Sequence, residues 1–195
     1  MREHADIVRR VIIRDARPDE HAAVGELRVT AYRALGLLSA GSGYAEPLRA
    51  LRFGGGEVLV AADEAGHGVL GTITLEAFAP ASELAKDDTE ADIRAFAVIP
   101  SAQGHGAGRK LLAAVIERAE QRGVRRLRLC TRPEMEAAQH LYATIGFSRT
   151  PELDFSLTLG SLCGHTNSHC RIRSRSGCPD YLPETRAYGF RPTPP

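Results

Sequence analysis

The chain has 195 residues, a formal net charge of +1 and a hydrophobic fraction of 43%. This length suits one domain with or without an appendage, and the hydrophobic fraction is enough for a core. The near-neutral charge argues against a general polyanion binder, so we expect no nucleic-acid partner. No apolar run approaches the ~18 residues of a membrane span and the N-terminal stretch is charged, so we expect no membrane association and a cytoplasmic location.

The first half of the sequence predicts a strand, a helix and a hairpin. Residues 11–14 form the strand, and a helix follows from about Arg17 to Ala34, since Pro18 suits an early helix position. A loop-rich stretch then contains a short helix at 47–53. Strands at 57–62 and 69–76 flank a glycine-containing turn and make the hairpin.

Residues 91–116 predict a buried strand, a glycine-rich turn and a helix. The run 93–99 is almost continuously apolar, and Pro100 ends it because proline has no N–H for a sheet ladder. After the turn at 103–108, apolar residues at 111, 112, 115 and 116 recur at helical spacing.

The chemistry of this turn favours an anion. The first helical turn has backbone N–H groups without internal partners, and Arg109 and Lys110 add positive charge. A phosphate or pyrophosphate is the expected occupant. A nucleotide P-loop fails because Leu111 follows Lys110 where Ser or Thr is needed, and a dinucleotide fingerprint fails because position 109 is arginine.

Two motifs together suggest a known family. Gln103, Gly106 and Gly108 form the pattern Q/R-x-x-G-x-G/A at the loop. Residues 137–147, AAQHLYATIGF, contain the pattern A-x-x-L-Y-x-x-x-G-F. Both patterns resemble the GNAT (GCN5-related) N-acetyltransferase family, in which the first is the coenzyme A loop. Each segment alone could be purely structural, but together they identify roughly residues 10–155 as similar to this family. The resemblance implies an α/β fold: a mixed, mostly antiparallel, twisted sheet with helices on both faces.

The resemblance implies acetyl-CoA as co-substrate and direct acetyl transfer to a primary amine of a small molecule or peptide. In the family, backbone groups of the central strand and the glycine loop hold the coenzyme. The corresponding positions here are Phe96, Ala97, Val98, Gln103, Gly104, His105, Gly106, Ala107, Gly108 and Arg109. Tyr142 matches the family tyrosine beside the coenzyme sulfur, where a phenol can protonate the departing thiolate. The rival hypotheses are a non-catalytic acyl-CoA-binding sensor on the same fold and a nucleotide phosphotransferase.

The general base is harder to predict. In the branch that acetylates protein N-termini, an acid and an asparagine occupy the places that hold Cys130 and Met135 here. The remaining candidates by position are Glu76 and Asp92 as catalytic residues, Glu90 as a weaker third, and Thr131 and Glu134 as residues that line the cleft.

The acceptor side also follows from the resemblance. The region after the first helix helps to form it in the family, so Tyr32, Tyr44 and Phe53 are candidate substrate-facing aromatics, or else they simply cover the core. The acidic group at 87–92 could attract a cationic amine.

The C-terminal segment changes character. We expect an acetyltransferase domain at 10–159 and an atypical Cys/Arg/Pro-rich tail at 160–195 that is poorly ordered, with a strand at 156–159 and no clear closing strand after it. Cysteines and histidines at 163–178 lack paired zinc-knuckle spacing, so we expect no metal and no disulfide. A shifted reading frame could also have produced this ending. It would leave the last strand position empty or filled by a partner, which would favour a homodimer or a weakened fold.

Overall fold

The fold is seen in a computed structural model that describes residues 11–39, 41–51, 56–63, 68–82, 84–154 and 185–192. The strands are β1 Val11–Asp15, β2 Glu57–Asp63, β3 Val69–Ala77, β4 Glu90–Val98, β5 Arg126–Thr131, β6 Ser148–Arg149 and β7 Arg186–Phe190. The helices are α1 His21–Ala34, α2 Ala45–Ala50, α3 Ala107–Gln121 and α4 Glu136–Ile145. The short helix thus lies at 45–50 and not at 47–53, with Pro47 in its first turn, and Phe53 lies outside the described residues.

One seven-stranded sheet organises these elements, in the order β1-β2-β3-β4-β5-β7-β6. Every neighbouring pair is antiparallel except β4 and β5, which are parallel. A parallel pair needs a crossover between its strands, and α3 supplies it. The prediction of a mixed, mostly antiparallel sheet is confirmed.

Helices cover both faces of the sheet, as predicted. Leu111, Leu112 and Val115 of α3 pack with Ile73 and Ile93 in the largest apolar cluster. On the opposite face, the strand residues that point the other way contact α1, as Val58 and Val60 do with Val24. The alternation of strand side chains therefore separates two cores.

A bulge in β4 changes which face its side chains occupy. Thr72 pairs with Ala97 and Thr74 with Arg94, so two residues of β4 oppose one of β3. Ala95 takes the unusual φ of 48°. After the bulge, Ala95 and Ala97 lie in the clusters under α1 and α2. Phe96 packs instead against the cluster under α3. Such a bulge bends a strand and redirects its side chains.

The sheet opens between β4 and β5. Their pairing ends at Ile93 and Leu129, although β4 continues to Val98 and β5 to Thr131. The edge of β4 beyond Ile93 is therefore not paired with β5. This opening is where the candidate site lies.

The strand β7 corrects the prediction for the tail. Arg186–Phe190 pairs with β5 on one side and β6 on the other, so this part of the segment is an ordered closing strand. Its Ala187 and Tyr188 are buried. Asp154 accepts a hydrogen bond from the Ala187 amide (2.8 Å) and holds the strand in place. The predicted strand at 156–159 and the cysteines and histidines at 163–178 lie outside the described residues.

Candidate active site

A cleft of about 570 Å³ lies beside the open end of β4. It combines the end of α1, the glycine loop, the first turn of α3 and the start of α4. Eight of the predicted coenzyme residues line it: Phe96, Ala97, Val98, Gln103, Gly104, Gly106, Gly108 and Arg109. The structure therefore brings the contiguous strand and loop at 96–109 together with the distant segments at 31–35 and 134–141.

The glycine loop has the geometry of an anion cradle. Gly104 and Gly106 have φ values of 74° and 91°, which side-chain-bearing residues rarely adopt. Gly106 is the N-cap of α3, so the loop ends where the helix amides and the helix dipole point toward the cleft. A Cβ on Gly108 would lie 3.2 Å from Cζ of Phe96, so the close approach of α3 to β4 requires glycine there. These backbone groups fit a diphosphate such as that of coenzyme A.

The side chains of the loop mostly support its shape. Gln103 Nε2 donates to the Val98 carbonyl oxygen at 2.9 Å. His105 Nδ1 donates to the Gln103 carbonyl oxygen at 2.6 Å, and His105 does not line the cleft. Ala107 is fully buried in the core and offers only its backbone. Arg109 is exposed and lines the cleft, where it also donates to Thr144 Oγ1 of α4 at 3.1 Å.

A second, smaller cavity of about 60 Å³ lies where β4 and β5 diverge. Tyr32 and Tyr44 form its α-helical wall, and residues 93–96, 129 and 130 form its strand walls. Met135 and Tyr142 close it on the side of α4. Tyr32, Phe96 and Met135 line the larger cleft as well, so the two spaces adjoin.

Tyr142 is held in place by aromatic neighbours. Only 3% of the residue is exposed, and its ring centroid lies 5.8–6.1 Å from those of Phe147, Tyr188 and Phe96. Burial raises the pKa of the Tyr142 hydroxyl well above its ordinary value. The phenol therefore stays neutral and keeps its proton at any physiological pH.

Arg28 is a buried charged residue near Tyr32 and Tyr44 that the sequence did not single out, and it lines neither cavity. It is fully buried and donates to the Leu51 carbonyl oxygen (2.8 Å) and to Thr74 Oγ1 (2.9 Å). Burial lowers the pKa of its guanidinium to about 10, so the group remains charged at neutral pH. It lies one helical turn before Tyr32 and joins α1, the end of α2 and β3. The sequence indicates this residue only through the position of an arginine on the same face of α1 as the apolar Val24 and Ala31.

The candidate bases lie outside the walls of both cavities. Glu76 and Asp92 are cross-strand neighbours on β3 and β4, and both are buried. Asp92 accepts hydrogen bonds from the amides of Ala85 (2.9 Å) and Leu84 (3.3 Å), which fastens the connection between the two strands. This placement therefore disfavours direct contact between either carboxylate and a substrate in the cavities.

Two other acidic side chains of this region accept hydrogen bonds from neighbouring side chains. Glu90 accepts hydrogen bonds from Arg126 (3.0 Å) and from Arg128 (2.8 and 3.1 Å). Asp87 accepts from the Thr89 hydroxyl at 2.6 Å. Within the acidic group at 87–92, Glu90 and Asp92 are therefore buried and held by the protein, whereas Asp87 and Asp88 remain exposed.

The remaining predicted cleft residues divide between the two spaces. Cys130 lines the small cavity and Glu134 lines the large cleft. Thr131 is buried and lines neither. Within the described ranges, three or more metal-ligating side chains do not cluster as a metal site would require. The helices of the same ranges are too short or too polar to cross a membrane.

Comparisons with known proteins agree with this geometry. The family model described as "Acetyltransferase (GNAT) family" matches residues 22–147. No curated protein matches the chain.

Solved structures share the fold at low sequence identity. A GNAT-family acetyltransferase from Staphylococcus aureus superposes with a TM-score of 0.65 at 15% identity, covering 94% of this chain and 99% of that one. The ribosomal-protein-S18-alanine N-acetyltransferase of Escherichia coli gives 0.63 at 17%, covering 94% of each chain. A candidate acetyltransferase from Salmonella typhimurium, solved with its cofactor acetyl-CoA, gives 0.59 at 19%, with 94% coverage of each chain. The family model matches well over half of the sequence, and the fold agrees with this match. The chain therefore belongs to the GNAT acetyltransferase family.

Proposed function

We propose that the protein transfers an acetyl group from acetyl-CoA to a primary amine by direct attack. The observation that carries the proposal is the continuity of the site. The glycine loop, the unpaired edge of β4 and Tyr142 surround two adjoining spaces. A pyrophosphate, an extended amide-bearing arm and a thioester follow one another in coenzyme A in the same order.

Each part of the coenzyme has a matching group in the chain. The amides at 104–109 suit the pyrophosphate, and Arg109 adds a charge at the same place. The backbone of Phe96 to Val98 suits the pantetheine arm, since an arm that carries amides can pair with a strand edge. The acetyl-CoA in the Salmonella structure supports the same donor here.

The chemistry needs an acid at the sulfur. The amine nitrogen attacks the thioester carbonyl carbon, the C–S bond breaks, and the thiolate takes up a proton. Tyr142 is the donor in this proposal, because its hydroxyl is neutral and borders the small cavity. The nitrogen attacks as a neutral amine, becomes positively charged in the tetrahedral intermediate and then releases a proton to the base and solvent, from which Tyr142 regains its own.

The base acts at a distance in this proposal. A protonated amine must lose a proton before it attacks, and carboxylates are missing from the described walls of the small cavity. Glu76 is our favoured final proton acceptor, through water. It lies close enough to Arg28 for its charge to act on the guanidinium. Asp92 is a poorer candidate because both of its carboxylate oxygens already accept hydrogen bonds from backbone amides.

The test is release of free thiol from acetyl-CoA in the presence of a panel of amines, with the acetylated product identified by mass spectrometry. Amine-dependent thiol release supports the proposal. Tight binding of acetyl-CoA without release for any amine would favour the non-catalytic sensor. Binding of ATP with Mg²⁺, and none of acetyl-CoA, would favour a phosphotransferase.

A further inference from the structure

We infer that Met135 limits the length of the acyl chain that the protein transfers. Acetyl and propionyl thioesters fit as donors, and this side chain excludes butyryl and longer thioesters. The inference rests on the proposed function and assigns a specificity-determining residue to the same site. The transfer itself is unchanged: the C–N bond forms, the C–S bond breaks and the thiolate takes up a proton, whichever acyl group is carried.

The small cavity leaves little room beside an acetyl group. One water molecule needs about 10–15 Å³ of such a space, so a cavity of about 60 Å³ holds roughly four to six atoms of that size. During transfer, the carbonyl carbon and oxygen, the methyl carbon and the attacking nitrogen must share it. A longer acyl chain therefore needs space beyond the walls of this cavity.

The large cleft is the adjoining space, and three residues separate it from the small cavity. Tyr32, Phe96 and Met135 line both. Phe96 packs against the cluster under α3, and Tyr32 packs against the clusters under α1 and α2. Met135 belongs to none of the apolar clusters that the described residues form. It is therefore the residue of the three whose truncation joins the two spaces with least disturbance of the core.

The backbone around Met135 keeps its side chain at this boundary. The Met135 amide donates to the Arg132 carbonyl oxygen at 3.0 Å, and the Met135 carbonyl oxygen accepts from the Gln139 amide at 3.0 Å. The residue is half-buried and directly precedes α4. A methionine side chain is unbranched and fills irregular gaps. Because the backbone is held on both sides, the side chain occupies the space that the additional methylenes of a longer donor would need.

The test compares acetyl-, propionyl-, butyryl- and hexanoyl-CoA in the thiol-release assay, with the amine that reacts fastest with acetyl-CoA. One methylene that a closed apolar pocket cannot accept changes kcat/KM by about 10- to 200-fold. The wild-type protein should therefore use butyryl-CoA at least about tenfold less well than acetyl-CoA. Met135→Ala removes the side chain beyond Cβ, so the ratio of butyryl to acetyl transfer should rise by about tenfold or more. Each ratio is measured within one protein, so a general loss of activity cancels.

Two control variants separate this partition from other effects. Met135→Leu keeps nearly the same volume and should keep the limit on chain length. Leu35→Ala removes an exposed apolar side chain that lines the large cleft and not the small cavity, so the ratio should stay as in the wild-type protein.

The possible failures are distinguishable. Equal use of acetyl- and butyryl-CoA by the wild-type protein overturns the inference, and so does an unchanged ratio in Met135→Ala. If Met135→Ala does not fold, Met135→Val supplies the shortened side chain, and an unchanged ratio there overturns the inference as well. Thiol release from acetyl-CoA with none of the amines would instead overturn the proposed function itself.

Discussion

The side-chain amide of Gln103 donates a hydrogen bond to the carbonyl oxygen of Val98 at 2.9 Å. This bond joins the first residue of the glycine loop to the last residue of β4. The two surfaces proposed to hold the coenzyme, the loop and the strand edge, are thereby fixed relative to one another. The glutamine of the motif thus has a structural role that the motif itself does not reveal.

Replacing Gly104 by alanine should weaken coenzyme binding. Gly104 and Gly123 have nearly equal φ values, 74° and 73°, and a Cβ would meet open space at both. Either substitution to alanine should cost about 1 kcal/mol in stability, because the backbone strain is the same. Gly104 lines the cleft and Gly123 follows the other end of α3. Calorimetric titration should therefore show a raised Kd for acetyl-CoA in Gly104→Ala alone. Equal affinities in the two variants would contradict the position of the coenzyme loop.

Tyr142→Phe should lower kcat by about a hundredfold or more, since it removes the proposed proton donor at the sulfur. The Kd for acetyl-CoA should change little, because the ring and its packing remain. Tyr188→Phe is the matched control: its ring packs against Tyr142, but its hydroxyl donates to Gln139 Oε1 and lies outside the described cavity walls. Steady-state kinetics of both variants measure the difference in kcat. A normal kcat in Tyr142→Phe would remove the tyrosine from the mechanism.

Much of the site was predictable because it is local in the sequence. The loop at 103–108 and the helix after it follow from glycines and helical spacing, and Tyr142 follows from its motif. The bulge at Ala95 carries no such signal, since an alanine with positive φ is dictated by the sheet around it. Likewise, the sequence does not show that Asp92 and Glu90 are satisfied by Ala85 and Arg128, because these partners depend on loop path and strand register.

The closing strand β7 was missed for a related reason. Its five residues alternate only weakly and stand in a segment rich in Pro, Arg and Ser, which favours disorder by composition. Pairing with β5 and β6 and the burial of Tyr188 stabilise it instead. Tertiary contacts thus override the local preference.

Arg28→Met should destabilise the protein and weaken acceptor binding. The substitution leaves Thr74 and the Leu51 carbonyl without their donor, which should cost about 2–3 kcal/mol. Because the substitution removes a charge near Tyr32 and Tyr44 and the bond between α1 and the end of α2, KM for the acceptor should rise while the Kd for acetyl-CoA holds. Arg49→Met is the control, since Arg49 pairs with Glu26 and Glu46 at the surface of α2 and should change the stability much less than Arg28→Met does. Urea denaturation and kinetics provide both readouts; an unchanged acceptor KM in a folded Arg28→Met protein would refute the positioning role.

The attachment of β7 should depend on pH through Asp154. The Arg149 guanidinium donates two hydrogen bonds to this carboxylate (2.6 and 2.7 Å) and lowers its pKa below the ordinary value. A depressed folded-state pKa stabilises the fold above the unfolded value of about 3.9 and loses its effect as the pH falls toward the folded value. Asp154→Asn should therefore cost about 1 kcal/mol near pH 7 and progressively less toward about pH 3. Denaturation of both proteins at the two pH values measures the difference, and a constant difference would exclude this linkage.

The most direct test of the central claim is thermal unfolding with and without acetyl-CoA, CoA, ATP and NADH. A ligand that binds only the folded state stabilises it by mass action, by ~2.7 kcal/mol at a hundredfold excess over its Kd. Binding of coenzyme A at the loop predicts a raised Tm with acetyl-CoA and with CoA, and no shift with ATP or NADH. An unchanged Tm with both coenzyme A species, or a shift with ATP or NADH alone, would contradict the assignment of the loop at 103–108 to coenzyme A.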